Sequence, residues 1–144
     1  MLVSQILKSK ADDQVVTALP SVTIGAAAQM LSERRIGTLL VSRDGVAADG
    51  IVSERDIVRQ IGLAGAACLA EPVSKIMTTK LVTCTREMRA DVVLEKMTEG
   101  RFRHMPVVEE GALVGLISLG DVVKARLTEL AMEKDALEGM IRGH

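Results

Sequence analysis

Two short runs combine residues that could do chemistry: Gly50-Ile-Val-Ser53-Glu-Arg-Asp56 and Gly115-Leu-Ile-Ser118-Leu-Gly-Asp121, both of the form Gly-x-x-Ser-x-x-Asp. The spacing puts a glycine at a strand end, a hydroxyl at a helix start and a carboxylate one turn into the helix. A helix start offers unpaired N–H groups and a positive dipole end, so a phosphate can bind there with the serine as a further donor. The carboxylate would repel that phosphate. It suits two adjacent hydroxyls, as on the 2′,3′ edge of a ribose, with the phosphate lying nearer the serine and Arg55. Ser-x-x-Asp is equally a capping box, in which the serine accepts from the amide three residues on and the acid reaches back to the serine amide. Three features favour a ligand. Capping boxes usually end in Glu or Gln, the glycine recurs, and both copies carry basic residues at a second matching place.

That second place is Arg34-Arg35-Ile36-Gly37 in one copy and Arg101-Phe102-Arg103-His104 in the other. Cations before a strand are ordinarily solvated surface, and a lone histidine beside a strand is ordinarily structural. Their recurrence in register supports another reading. If the copies pack about a pseudo-twofold axis, these cations approach the cleft where the two Ser-x-x-Asp helix starts converge. Carboxylates, hydroxyls and guanidiniums in one cleft fit a nucleotide.

The elements that must position these groups are written twice, because residues 15–59 reappear as 81–124. Arg35 meets Arg101, Val41 meets Val107 and Gly45 meets Gly111; one residue is then dropped, and Gly50, Ser53 and Asp56 meet Gly115, Ser118 and Asp121. Each copy predicts strand, helix, strand, strand, helix. Val15–Thr17 is a short β-branched run, and Ile24, Ala27, Ala28 and Leu31 recur at helical spacing, as do Ala90, Val93, Leu94 and Met97. Thr38–Ser42 and Val46–Val52 flank a turn at Arg43-Asp-Gly45, and Met105–Val108 and Leu113–Ser118 flank Glu109-Glu-Gly111. The second helix of each copy starts after its serine, and Leu63–Pro72 joins the copies. The outer segments fall outside both copies. After Asp121 a helical stripe of Val123, Leu127, Leu130, Leu137 and Ile141, with Lys134 in one position, continues past the repeat. It packs on Leu2, Val3, Ile6 and Leu7, or it self-associates.

Composition removes several function classes. With Phe102 as the only aromatic in 144 residues and a net charge of −1, neither base stacking nor the basic field of a duplex binder is available, so nucleic acid is not expected as a partner. The N-terminus lacks the apolar core of a signal peptide, and no apolar run approaches the ~20 residues of a membrane span. A cytoplasmic protein without a membrane partner is expected. Cys68 and Cys84 stand in no metal or redox spacing and read as buried thiols, no metal site is expected, and eight methionines suit an adaptable core. No nucleophile–base pair, metal cluster or phosphate-binding glycine loop is legible, so no catalytic residue is assigned.

The residues resemble the tandem cystathionine-β-synthase (CBS) domain family, or Bateman module. Val15-Val-Thr17, Arg35-Ile-Gly37 with Leu39-Leu-Val41, Gly50 to Asp56, and His104-Met-Pro-Val-Val108 with Gly115-Leu-Ile-Ser118 carry the resemblance, which runs from about Asp12 to Leu127. It implies an α+β fold: two βαββα CBS units packed as a pseudo-twofold pair, with a long C-terminal helix. The expected boundaries are 1–11 for an N-terminal helix or linker, 12–70 and 71–128 for the two CBS motifs, and 129–144 for a helical tail. It also implies clefts for adenosine-containing ligands, namely AMP, ADP, ATP, a dinucleotide such as NAD, or S-adenosylmethionine. One cleft would use Ser53 and Asp56, with Leu81, Val82 and Phe102 against the base. The other would use Ser118 and Asp121, with Val15, Val16, Ile36 and Gly37; Arg55, Arg103 and His104 are the phosphate-side candidates. Gly120 replaces Arg55 in the second motif and Leu40 replaces Pro106 in the first, so the clefts are not equivalent, and the Asp56 cleft is the expected phosphate site. In this family the pair often regulates an attached enzyme or transporter; the expectation for this chain is a free-standing ligand sensor, a homodimer that signals by rearrangement to a regulated protein. The alternative is a dimeric adaptor whose motifs are only helix caps.

Overall fold

In the first copy, helix α2 (Ile24–Arg34) begins where the Ala26 N–H donates to Thr23 Oγ1 (3.1 Å), and it buries Ile24, Ala27 and Leu31 on one face. Its end is set by Arg35, which turns left-handed at φ 53° and lets the Ile36 N–H reach back to Leu31 O (3.1 Å). The chain then enters β2 (Thr38–Val41), whose four residues are all buried. This strand is central: β1 (Thr17–Ala18) pairs with it in parallel and β3 (Gly50–Ser53) antiparallel, with Thr17 opposite Leu40 and Thr38 opposite Ser53. A central strand covered on both faces explains its unbroken apolar run. Helix α3 (Glu54–Ala64) follows from Ser53. The computed structural model describes residues 1–10 and 15–143. The expected 11/12 boundary therefore lies outside the described residues.

The strand expected from Val46 starts only at Gly50. The Asp44 carboxylate accepts from the Val46 and Ala47 N–H groups, Asp49 accepts from the Arg43 N–H, and Ser42 Oγ donates to Ala47 O. Those local bonds capture the backbone that a strand would have used.

The second copy repeats these details. Helix α4 (Ala90–Gly100) ends at Arg101, also left-handed (φ 55°), with the Phe102 N–H returning to Met97 O (3.2 Å). Strands β4 (His104–Glu109) and β5 (Ala112–Ser118) form a two-stranded sheet and lead into α5 (Leu119–Ile141). The first strand of this copy shrinks to one parallel bridge between Cys84 and Val107, the counterparts of the paired Ala18 and Val41. The architecture is α+β with a long C-terminal helix.

The N-terminal segment, expected to lie outside the repeat, belongs to it. Met1-Leu-Val-Ser-Gln-Ile-Leu7 matches Glu71-Pro-Val-Ser-Lys-Ile-Met77, and the matched residues do matched work. Ile24 N–H donates to Glu71 O (2.8 Å) and Ala90 N–H to Met1 O (2.9 Å); Val73 N–H donates to Val22 O (2.8 Å) and Val3 N–H to Met88 O (2.9 Å). Thus the segment between the copies serves the first copy, and helix α1 (Val3–Ser9) serves the second. Val3, Ile6 and Val73 are buried as a result.

Two units follow from this exchange. One gathers the N-terminal segment with Thr83–Val107 and the chain from Gly115 on; the other gathers the residues up to Val82 with Val108–Val114. In the second unit Ile24, Leu39, Val41, Val52 and Val73 form the core, and the Leu113 N–H donates to Val46 O (2.7 Å). In the first, α5 buries Val122 and Ala125 and touches α4 and α1, while its heptad stripe remains exposed. Packing with the N-terminal helix is thus real but occupies a different face from the stripe. Among the described residues no helix is long and apolar enough to cross a membrane.

Candidate functional site

Both Ser-x-x-Asp runs form capping boxes. At the start of α3 the Asp56 N–H donates to Ser53 Oγ (3.2 Å), and Asp56 Oδ2 accepts from the Ser53 N–H (2.8 Å) and Oγ (3.0 Å). Asp56 Oδ1 faces the exposed Arg59 guanidinium at 3.6 Å. At the start of α5 the Asp121 N–H donates to Ser118 Oγ (3.1 Å) and Asp121 Oδ2 accepts from the Ser118 N–H (2.9 Å). Here a new partner enters. Lys10 Nζ lies 2.9 Å from Asp121 Oδ2 and donates to Leu116 O (2.9 Å). Burial works to raise the Asp121 pKa, but the Ser118 N–H and the Lys10 ammonium outweigh it and hold the carboxyl below its ordinary range.

The recurring glycine has a reason inside the fold. A Cβ on Gly50 would lie 2.6 Å from Met77 Sδ, and one on Gly115 would lie 2.8 Å from Leu7 Cδ2. Met77 and Leu7 are counterparts in the repeat, so the glycine admits the segment that each copy receives. It supplies no independent argument for a ligand.

The second unit holds a cavity of about 560 Å³ between the end of α2 and the start of α3, lined by Ala28, Leu31, Ser32, Arg35, Ile36, Gly37, Glu54, Ile57 and Val58. Its floor is apolar. Arg35 and Glu54 supply opposite charges, and the Glu54 carboxylate covers Gly37 while its N–H donates to Gly37 O (2.9 Å). Ile36 and Gly37 thus stand beside the Ser53 helix start of their own copy.

The remaining expected residues are placed as follows. Val15 and Val16 are half-buried just before β1, Leu81 is half-buried, and Val82 and Arg55 are exposed; all belong to the second unit. Phe102, Arg103 and His104 belong to the first unit with Ser118 and Asp121. The Phe102 ring folds back over Gly100, where any Cβ would collide with it. Arg103 is exposed and its carbonyl accepts the Leu119 N–H (2.7 Å), while His104 is half-buried at the start of β4. Sequence reasoning missed Lys10 and Glu54. Lys10 lies most of the chain away from Asp121 and leaves no local signal, while Glu54 stands in the motif itself but reads there as an ordinary acidic first-turn residue. Both cysteines are buried and neither is in a disulfide, and no metal-ligating cluster occurs among the described residues.

Comparison with known proteins agrees with this geometry. The CBS domain profile matches residues 3–63 and 73–128, both starting at the valine of the exchanged segment. The chain is 33% identical to the Arabidopsis thaliana CBS domain-containing protein CBSX3, mitochondrial, over 98% of this chain and 72% of that one. Against several longer Arabidopsis relatives it spans 23% of their length. A CBS-domain-containing protein from Agrobacterium tumefaciens superposes with a TM-score of 0.82 at 46% identity, covering 88% of this chain and 99% of that one. A CBS domain protein from Pyrobaculum aerophilum, complexed with AMP, superposes with a TM-score of 0.78 at 29% identity over 92% and 99%. Two copies of the profile in register with two capped helix starts, two left-handed arginines and two glycines under exchanged side chains leave one conclusion: the chain belongs to the CBS domain family, as a tandem pair.

Proposed function

We propose that this tandem CBS pair is a non-catalytic regulatory module. It takes an adenosine-containing nucleotide, such as AMP, ADP, ATP or NAD, at its Ser-x-x-Asp helix starts, and signals through rearrangement of a homodimer to a regulated protein. The observation that carries the reading is the use of the two carboxylates. In each motif the cap occupies Oδ2, so a ribose hydroxyl can donate to Oδ1 without dismantling the helix start. The AMP complex of the Pyrobaculum relative supports the ligand class.

The charges now favour a different phosphate site from the one expected. Gly120 withholds a cation from the Asp121 motif, but Lys10 brings one from α1's end, half-buried and already in place. Arg55, by contrast, is exposed. Ligand binding must favour one arrangement of the dimer over another for a signal to result.

Calorimetric titration with AMP, ADP, ATP, NAD and S-adenosylmethionine tests this on wild type, Asp56→Ala and Asp121→Ala, with concentrations determined without 280 nm absorbance. Binding in the micromolar range, about −8 kcal/mol, abolished in one site by one variant that stays folded, supports the reading. A second reading has its own observation. Both motifs are complete capping boxes and both glycines are explained internally, which is what a dimeric adaptor without a ligand requires. If no ligand binds and both variants merely melt earlier, the adaptor replaces the sensor.

A further inference from the structure

Beyond Leu130 helix α5 leaves the body of its unit, and Ala131–Leu137 are exposed on every side. Five apolar residues mark one stripe along the helix: Val123 (40% exposed), Leu127 (62%), Leu130 (49%), Leu137 (60%) and Ile141 (85%). With Lys134 they step by four and three residues alternately, the seam of a two-stranded coiled coil. Three helical turns alone in water are marginal, and the one ion pair there, Lys134 to Glu138 at 3.8 Å, is exposed and contributes little. The stripe needs a cover.

The charges flanking the seam select that cover. Lys124 and Arg126 flank its first half, and Glu133 and Glu138 flank its second. A parallel pair of α5 helices would set Lys134 against Lys134 in the seam and Glu133 beside Glu138. An antiparallel pair sets Val123 against Ile141, Leu127 against Leu137 and Leu130 against the aliphatic stem of Lys134, and it places Lys124 beside Glu138 twice. Its one like-charge contact, Glu133 with Glu133 at the centre, has both Lys134 ammoniums next to it. We propose that α5 pairs antiparallel with α5 of a second copy of this chain. This names an interface for the homodimer of the preceding section. It rests on that reading only for its use in signalling and needs no ligand to form.

The test is sedimentation equilibrium of the full chain, alongside circular dichroism to establish folding. Wild type is expected at twice the 15.4 kDa chain mass. Leu130→Glu/Leu137→Glu is expected at the monomer mass with its thermal transition retained. Lys124→Glu turns two attractions into repulsions and is expected to weaken the dimer about tenfold, and the reversal Lys124→Glu/Glu138→Lys is expected to restore it. For orientation, Leu127→Cys/Leu137→Cys is expected to cross-link under mild oxidation where Leu137→Cys alone does not. A monomeric wild type, a dimer that survives the double leucine replacement, a reversal that fails to restore, or efficient cross-linking of Leu137→Cys alone would each overturn the proposal. Calorimetry that finds no ligand while the dimer behaves as expected would overturn the sensor reading and leave this interface standing.

Discussion

At the scale of single residues, the contrast between the two aspartates matters most. Asp56 is capped and faces an exposed arginine, whereas Asp121 is capped and held by the half-buried Lys10. The pairing has a pH signature. The folded Asp121 carboxyl sits below its ordinary 3.8, so the native state gives up that proton more readily than the unfolded chain. The resulting stability is present at neutral pH and is lost as pH falls through the ordinary value toward the folded one. Thermal unfolding followed from about pH 6 to about pH 3 is expected to fall less steeply for Lys10→Met than for wild type. In the same variant, an AMP site that uses Asp121 is expected to lose its preference for AMP over adenosine, because the cation beside the carboxylate is gone. Calorimetric comparison of the two ligands checks this. Gly115→Ala is a second residue-scale prediction. Its Cβ meets Leu7, so a cost of about 1–3 kcal/mol is expected, and denaturant melts of Gly115→Ala, Leu7→Ala and the double variant are expected to show the two changes as non-additive.

At the scale of elements, the sequence was legible where local pattern and tertiary role agree. Helices α2 and α4 followed from spacing alone, since one buried face per helix is what a three-and-four repeat encodes. The hairpin strand at Val46 was not legible, because Asp44 and Asp49 draw its amides into a loop and no periodicity reports a side chain competing for backbone. Asp44→Ala is expected to raise amide exchange at Val46 and Ala47 without changing the fold, as measured by hydrogen exchange. The sequence leaves residues 1–11 as a helix or a linker outside the repeat, and the structure forms helix α1 there with Ile6 only 2% exposed. Ile6→Ala is expected to cost about 2–4 kcal/mol in denaturant melts, where a solvated linker would lose almost nothing.

At the scale of the whole molecule, each copy is completed by a segment that does not precede it directly in the chain. The exchange ties both ends of the sequence into cooperative units, so removing residues 1–10 is expected to melt the unit carrying Asp121 first, visible as a separate early calorimetric transition. The functional consequence is local. Lys10 reaches Asp121 only because α1 packs on the second copy, so the cation that the second motif lacks is restored by topology. The balance of charge between the two candidate sites is therefore a property of the exchange and not of either motif.

The sequence by itself determined the duplication, the helices, the two capped helix starts and the family, because each is written in spacing over fewer than ten residues or in self-similarity between copies. The tertiary structure alone decided three things. It showed which segment completes which copy, since Val3 and Val73 are the same residue type in matching runs and only their backbone partners, Met88 for Val3 and Val22 for Val73, distinguish their destinations. It showed why Gly50 and Gly115 are glycines, since the atoms that exclude a Cβ come from a segment distant in sequence. It also assigned Lys10 to Asp121, a pair separated by most of the chain, because an ion pair depends on distance in space and leaves no periodic trace in a single sequence.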